Sequence, residues 1–320
     1  MPAPSVIVYG PVGSGKSTEV AVAFQECLWV TSQPGNLWAY ESLVELKPEL
    51  RLKHVSYAPS LLRRKNESTE WDPTKEVRCL VLPANTLSSE GELIPVHTIT
   101  EVNRVVAAFT KATLAGKAKS RGIVFDEFSE LSARMQHDLE VTGWNPKDPK
   151  PYGRNWNMWA PFYKWHKELI ERQKALDVPM VFICHDADPE KLSDSEDPEA
   201  SGEVLKGGPN MPSKKLRRLF CAFVDVVLQR GVERIKKKKA AGEKKVDKDA
   251  LDLGEETPAV EEPISFAPEN LNAYGVPSDV VRFYMTETDP YWERKIRAFG
   301  LSPKETRDLL SVLRQARFAP

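Results

Sequence analysis

The sequence predicts an α/β fold built on a mostly parallel central sheet with helices on its flanks. Three observations carry this. An apolar run, Ser5-Val6-Ile7-Val8-Tyr9, opens directly into Gly10-Pro11-Val12-Gly13-Ser14-Gly15-Lys16-Ser17-Thr18 and a helix-compatible stretch. A second run, Ile123-Val124-Phe125, ends in Asp126-Glu127, and a third, Met180-Val181-Phe182-Ile183-Cys184, ends in His185-Asp186. Near-continuous apolar strands alternating with helices belong in parallel sheets buried on both faces, which receive ligands at the carboxyl ends of their strands.

The stretch from Gly10 to Thr18 has the spacing of a phosphate-binding loop, glycine, four residues, then Gly-Lys-Ser. The glycines let the backbone curl so that the N–H groups of Gly13, Ser14 and Gly15 and the following helix N-terminus converge on one anion. A polyphosphate fills such a nest. Lys16 is placed to reach the β- and γ-phosphates, the Ser17 hydroxyl to take one corner of a Mg²⁺ octahedron, and Thr18 to continue the helix. Asp126, at the tip of a buried strand, is then expected in the Mg²⁺ shell, and Glu127 beside it is expected to polarise an attacking water. His185 arrives at the same tip, where a polar side chain either senses the γ-phosphate or satisfies local backbone.

Composition sets bounds. A chain of 320 residues has room for one large α/β domain with insertions or for two small ones. With 45 basic and 46 acidic residues the formal charge is −1, so any attraction to nucleic acid or membrane must come from a local patch. Cys27, Cys79, Cys184 and Cys221 are scattered without a Cys-x-x-Cys pair and read as reduced thiols of a cytoplasmic protein. The N-terminus shows no charged-then-apolar signal segment, and no apolar run approaches the ~20 residues of a membrane span.

Along the chain, Cys27 to Thr31 reads as a second strand, closed by the turn-forming Gln33-Pro34-Gly35-Asn36. Residues 58 to 97 are expected to form an insertion over the sheet edge. Thr98-Ile99-Thr100-Glu101 has the form of a capping box that starts a helix carrying Val102, Val105, Val106 and Phe109 on one stripe. A further helix begins at Met158, with Trp159, Phe162, His166, Leu169 and Ile170 in phase, and Asp177 ends it. The acidic loop 187 to 212 is expected to be mobile. Lys214, Lys215, Arg217 and Arg218 open a helix, and a strand over Phe223 to Gln229 follows. Residues 231 to 265 are a low-complexity charged linker or hairpin unable to form a core. From 266 to 320 a late strand, Val280 to Met285, and a helix begun by Ser302-Pro303-Lys304-Glu305 are expected to complete the core begun by residues 1 to 230.

This order of landmarks, an N-terminal phosphate loop (Walker A), Asp126 at a buried strand tip (Walker B), a Trp-bearing helix, a strand ending in His185, a Gly-Pro loop and Lys295-Ile296-Arg297, resembles the RecA-like P-loop ATPases of bacteriophages. The kin it resembles most are their RecA-like single-strand-annealing recombinases. The resemblance spans about residues 5 to 230 and 280 to 300. It implies an ATP- and Mg²⁺-dependent hydrolase that acts in recombination or replication on single-stranded DNA in the host cytoplasm. It also implies a homo-oligomer, ring or filament, in which Lys295 and Arg297 reach the neighbouring subunit's phosphates. The chain departs from that pattern in the acidity of the loop after His185, which repels a phosphate backbone, and in the extra residues between the loop and Asp126. Two other readings use the same loop. One is a motor or assembly ATPase for DNA packaging or protein partners, the other a small-molecule kinase. Should Glu127 not activate the water, Glu41 beyond the second strand is the alternative.

Overall fold

The computed structural model describes residues 3–33, 45, 56–58, 62–64, 71–82, 85–95, 97–142, 159–191, 204–234, 280–287, 292–296 and 301–318. In chain order these form β1 (Ser5–Tyr9), α1 (Lys16–Ala23), β2 (Leu28–Thr31), β3 (Ser56–Ala58), β4 (Leu62–Arg64), β5 (Arg78–Val81), β6 (Asn85–Leu87), β7 (Leu93–Pro95), α2 (Thr98–Leu114), β8 (Ile123–Asp126) and α3 (Phe128–Thr142). There follow α4 (Trp159–Leu176), β9 (Met180–Cys184), β10 (Asp186–Ala187), β11 (Glu190–Lys191), β12 (Val204–Leu205), β13 (Gly208–Pro209), α5 (Lys214–Phe223), β14 (Val226–Arg234), β15 (Val280–Met285), β16 (Lys304–Glu305) and α6 (Leu309–Gln315).

Nine strands make the central sheet in the order β16-β15-β14-β1-β9-β8-β2-β5-β3. Pairings from β14 to β3 are parallel, and β16 runs antiparallel to β15. Every residue of β1, β2, β8 and β9 is buried, as apolar runs without alternation require. One face of the sheet, through Ile7, Tyr9, Val30, Phe125 and Phe182, packs into a cluster with residues of α2, α3, α4 and α5. Phe128 centres it, with ring centroids 4.7 Å from Phe182 and 5.3 Å from Phe220. The alternate residues Val6, Val8, Val124 and Val181 are equally buried and face the other way, where α1 meets α6.

His166 of α4 lies wholly inside this cluster. Its Nδ1 sits 2.8 Å from the Phe162 carbonyl and must donate, so Nε2 accepts from the Ser132 hydroxyl at 3.1 Å. Burial pushes its pKa down to about 4, and the ring is neutral packing. Asp177 ends the helix in the left-handed region at φ 50°. The four cysteines are buried free thiols.

Several expectations are corrected. The stretch from 58 to 97 is not only an insertion over the edge, because β3 and β5 extend the main sheet beyond β2, while β4, β6 and β7 form a sheet of their own. The capping box at Thr98 does not form. The Thr98 N–H is taken by the Asp138 carboxylate of α3, and Glu101 instead pairs with Arg104 at 2.7 Å. Nor do Ser302 to Glu305 start the last helix. Lys304 and Glu305 pair with β15, and α6 is capped by Asp308, which accepts from the Ser311 N–H at 2.8 Å. The described ends of the acidic loop pair as a ladder, Asp186 and Ala187 opposite Pro209 and Gly208, then Glu190 and Lys191 opposite Leu205 and Val204, while residues 192 to 203, on which its expected mobility bears, lie outside the described residues.

The chain divides into two units, Met1–Gly231 with Arg282–Pro320, and Val232–Val281. The first carries the sheet's core and everything described below. Of the second, the described residues are the ends of β14 and β15; most of the charged segment read at 231 to 265 lies outside the described residues.

Phe128→Ala empties the centre of the aromatic cluster, and urea unfolding should register a loss of about 3–5 kcal/mol.

Candidate functional site

The loop after β1 is shaped by two glycines. At Gly10 a Cβ would stand 2.3 Å from the Arg230 carbonyl oxygen of β14, so only a bare backbone passes there. Gly15 is the N-cap of α1 with φ 81°, in the left-handed region that leads the chain into the helix with its first N–H groups facing outward. The Ser14 hydroxyl closes the turn by donating to the Pro11 carbonyl at 2.8 Å.

Lys16 folds back into this loop, its Nζ donating to the Gly10 and Pro11 carbonyls, both at 2.8 Å. It is 8 % exposed, and burial lowers its pKa against the pull of Asp186, Cys184, Asp126 and Glu127. Ser17 Oγ donates to Asp126 Oδ1 at 3.1 Å, joining the loop to the tip of β8. Asp126 is 1 % exposed, and its Oδ2 is buried with no hydrogen-bond partner among the described residues. Burial first and the Glu127 charge second raise its pKa to about 7, against the Ser17 hydrogen bond and the Lys16 charge. A buried carboxylate oxygen without a donor, beside a serine hydroxyl, is a fitting place for a divalent cation. No group of three or more His, Cys, Asp or Glu side chains could hold a metal by itself among the described residues. A cation here would therefore depend on ligand oxygens as well.

Glu127 takes a left-handed backbone, φ 57°, at the turn from β8 into α3. Such a conformation costs a non-glycine residue about 1 kcal/mol or more and is held where the surroundings demand it. Its carbonyl accepts the Glu130 and Leu131 N–H groups that begin α3, and its carboxylate lies 3.7 Å from His185 Nε2. His185 is anchored on both sides of its peptide, its N–H to the Ser129 hydroxyl at 3.2 Å and its carbonyl to the Asn210 N–H at 2.8 Å.

These groups line one cavity of about 400 Å³. Gly13, Gly15, Lys16, Ser17, Thr18, Asp126, Glu127 and His185, all singled out in the sequence, are on its wall, whereas Gly10 and Ser14 lie behind it and shape the loop. Lys295 is not brought to it. Its ammonium donates to the Ala222 and Val224 carbonyls at the start of β14, the end of the sheet opposite the loop, so within its own chain it cannot reach the cavity. Arg297 and Glu41 lie outside the described residues. Of the basic residues at α5, Arg217 is buried and donates to the Lys206 carbonyl at 3.0 Å, which removes it from the surface patch.

Three charged residues went unnoticed in the sequence. Arg282 of β15 lines the cavity beside Gly15. Behind the loop, Arg230 Nη2 pairs with Glu19 at 3.0 Å, its Nε donates to the Ser14 carbonyl at 3.3 Å, and its guanidinium stacks 4.4 Å from the Tyr284 ring. Glu19 completes the support by accepting the Leu309 N–H at the start of α6, 3.2 Å away. For Arg230 the available signal was a charge after the apolar run Val226-Val227-Leu228, since a charge buried there must find a partner.

No protein-family model matches this chain, and comparison with curated proteins returns no match. The chain is an α/β protein with a large, mostly parallel sheet whose strand tips gather this cavity. No helix among the described residues is long and apolar enough to cross a membrane.

Because Asp126 has a folded pKa of about 7, above the ordinary carboxylate value, the ligand-free protein holds a proton that the unfolded chain releases. Its stability should fall as pH rises from about 4 through about 7. Asp126→Asn should remove that fall and melt higher than the parent at pH 8, as measured by thermal unfolding across the range.

Proposed function

We propose that this protein binds Mg²⁺-ATP at the Gly10 to Thr18 loop and hydrolyses it, as a RecA-like phage ATPase that handles single-stranded DNA in recombination or replication. The observation that carries the reading is the meeting of Ser17 and Asp126, 109 residues apart in sequence, beside the glycine loop and Lys16. Neither motif alone would need the other. Ser17 and Asp126 are the residues that would hold Mg²⁺, which when bound supplies positive charge to the β- and γ-phosphate oxygens.

The chain's own groups account for the rest. The loop N–H groups take the phosphates, and Lys16 exchanges two neutral carbonyls for anionic oxygens, a stronger set of acceptors. Glu127, held near His185, orients a water and accepts its proton as it attacks the γ-phosphorus, releasing ADP and phosphate. The order β1-β9-β8 supports the RecA-like version, because it sets the tip of β9, and with it His185, between the loop and Asp126. Lys295 and Arg297 remain proposed for the neighbouring subunit of an oligomer in the host cytoplasm.

A second reading, a motor or assembly ATPase acting on DNA packaging or on a protein partner, is favoured by one observation. With Arg217 buried, the cations left at α5 are fewer, while Asp188 in the acidic ladder is exposed. Turnover stimulated by single-stranded DNA, and lost steeply with salt, supports the first reading; turnover that responds only to protein supports the second.

Lys16→Ala should weaken ATP binding or turnover by about a hundredfold or more with folding intact, and Glu127→Gln should bind ATP yet hydrolyse it about a hundredfold more slowly. Equilibrium binding and phosphate release check both. A folded Lys16→Ala protein that binds and hydrolyses ATP like the parent would overturn the proposal.

A further inference from the structure

Arg282 stands on the wall of the cavity, half-buried, on the strand two places from β1 in the sheet. Its Cδ and Nε lie 3.3 Å from where a Gly15 Cβ would be, so the root of the guanidinium touches the residue that caps α1. The N–H groups of the first turn of that helix are those that would hold the phosphates, and an anion seated on them is within reach of this arginine.

Its presentation is built into β15. Residues two apart on a strand share a face, and Tyr284 on that face is packed under the Arg230 guanidinium, which in turn holds the Ser14 carbonyl and Glu19 of the loop and α1. Phe283, on the opposite face, lies against Gly231, where a Cβ would come within 2.4 Å of its ring. The register of β15 is thereby held against β14, and with it the approach of Arg282 to Gly15.

Charge layout gives the contact its purpose. Two carboxylates, Asp126 and Glu127, and two cations, Lys16 and Arg282, line the cavity. Mg²⁺ offsets only part of a triphosphate's charge, and Lys16 offsets one unit more. A planar guanidinium can add two parallel N–H···O bonds to adjacent phosphate oxygens, which an ammonium cannot.

We propose that Arg282 is a phosphate-binding residue of this site, contributed by the same chain, that grips the polyphosphate of a nucleoside triphosphate rather than its base or sugar. This inference rests on the reading of the cavity as a Mg²⁺-triphosphate site. It places a second cation, beside Lys16, in the site without any neighbouring subunit.

The test measures binding of ATP and of inorganic tripolyphosphate, each with Mg²⁺, by titration calorimetry on the full chain and its Arg282→Ala and Arg282→Lys variants. Arg282→Ala should weaken both ligands by the same factor, about tenfold to a hundredfold, and Arg282→Lys should recover part of the loss. Thermal unfolding without ligand checks the fold, and Arg282→Lys carries the comparison if the alanine variant does not fold. It then should bind both ligands more weakly than the parent by one common factor. A loss confined to ATP would assign Arg282 to the base or sugar, and unchanged binding would remove it from the site; either overturns the proposal. If the parent chain binds neither ligand, the triphosphate reading itself fails, an outcome distinct from a parent that binds both and a variant that binds both equally well.

Discussion

Two opposite charges, Lys16 and Asp126, are buried within one cavity at the tips of parallel strands, and neither is well satisfied there. Lys16 leans on two carbonyls and Asp126 on one hydroxyl, with its second oxygen bare. Removing such groups from water is unfavourable unless something returns equivalent interactions. The pKa of each moves toward its neutral form for that reason, Lys16 downward and Asp126 upward. A ligand that carries both a divalent cation and a polyanion would satisfy the two together, and a neutral or purely cationic ligand would not.

Holding this arrangement open requires a stiff frame, because an unsatisfied site would otherwise relax by collapsing. The fully buried strands β1, β8 and β9 supply it from one side, with Phe125, Phe128, Phe182 and Phe220 packed edge and face beneath the strand tips. On the other side the loop is braced by charge. Glu19 ties α1 to Arg230 of β14 and to the N-terminus of α6, so the helix that follows the loop is fixed at its first turn. A buried pair of this kind adds little net stability over an apolar one, but it specifies which strand the loop lies beside.

The strained backbone of Glu127 fits the same logic. The turn from β8 into α3 places Phe128 in the core and leaves Glu127 to swing outward, next to His185. His185 in turn is pinned by the Ser129 hydroxyl and by Asn210, beyond the β10–β13 ladder, so the cavity wall runs directly into the ladder. One peptide hydrogen bond thus ties the backbone at the site to α3, and the other ties it to the end of the ladder.

Contiguous residues carried what the sequence by itself determined: the loop from Gly10 to Thr18, the apolar strands ending at Asp126 and His185, and the stripe of α4 with its stop at Asp177. Each is legible because its chemistry is local, a glycine spacing, a run of buried side chains, a helical period. Tertiary structure alone decided which partners answered. Thr98 found Asp138 in place of Glu101, and Lys304 and Glu305 found the edge of β15 in place of a helix, since a carboxylate or a strand edge from elsewhere competes with any local cap. The same holds for Arg230 and Arg282, which reach the loop and its helix from far along the chain. Read singly they are ordinary surface charges, and only the order of strands in the sheet sets Arg282 on the cavity wall and Arg230 behind the loop.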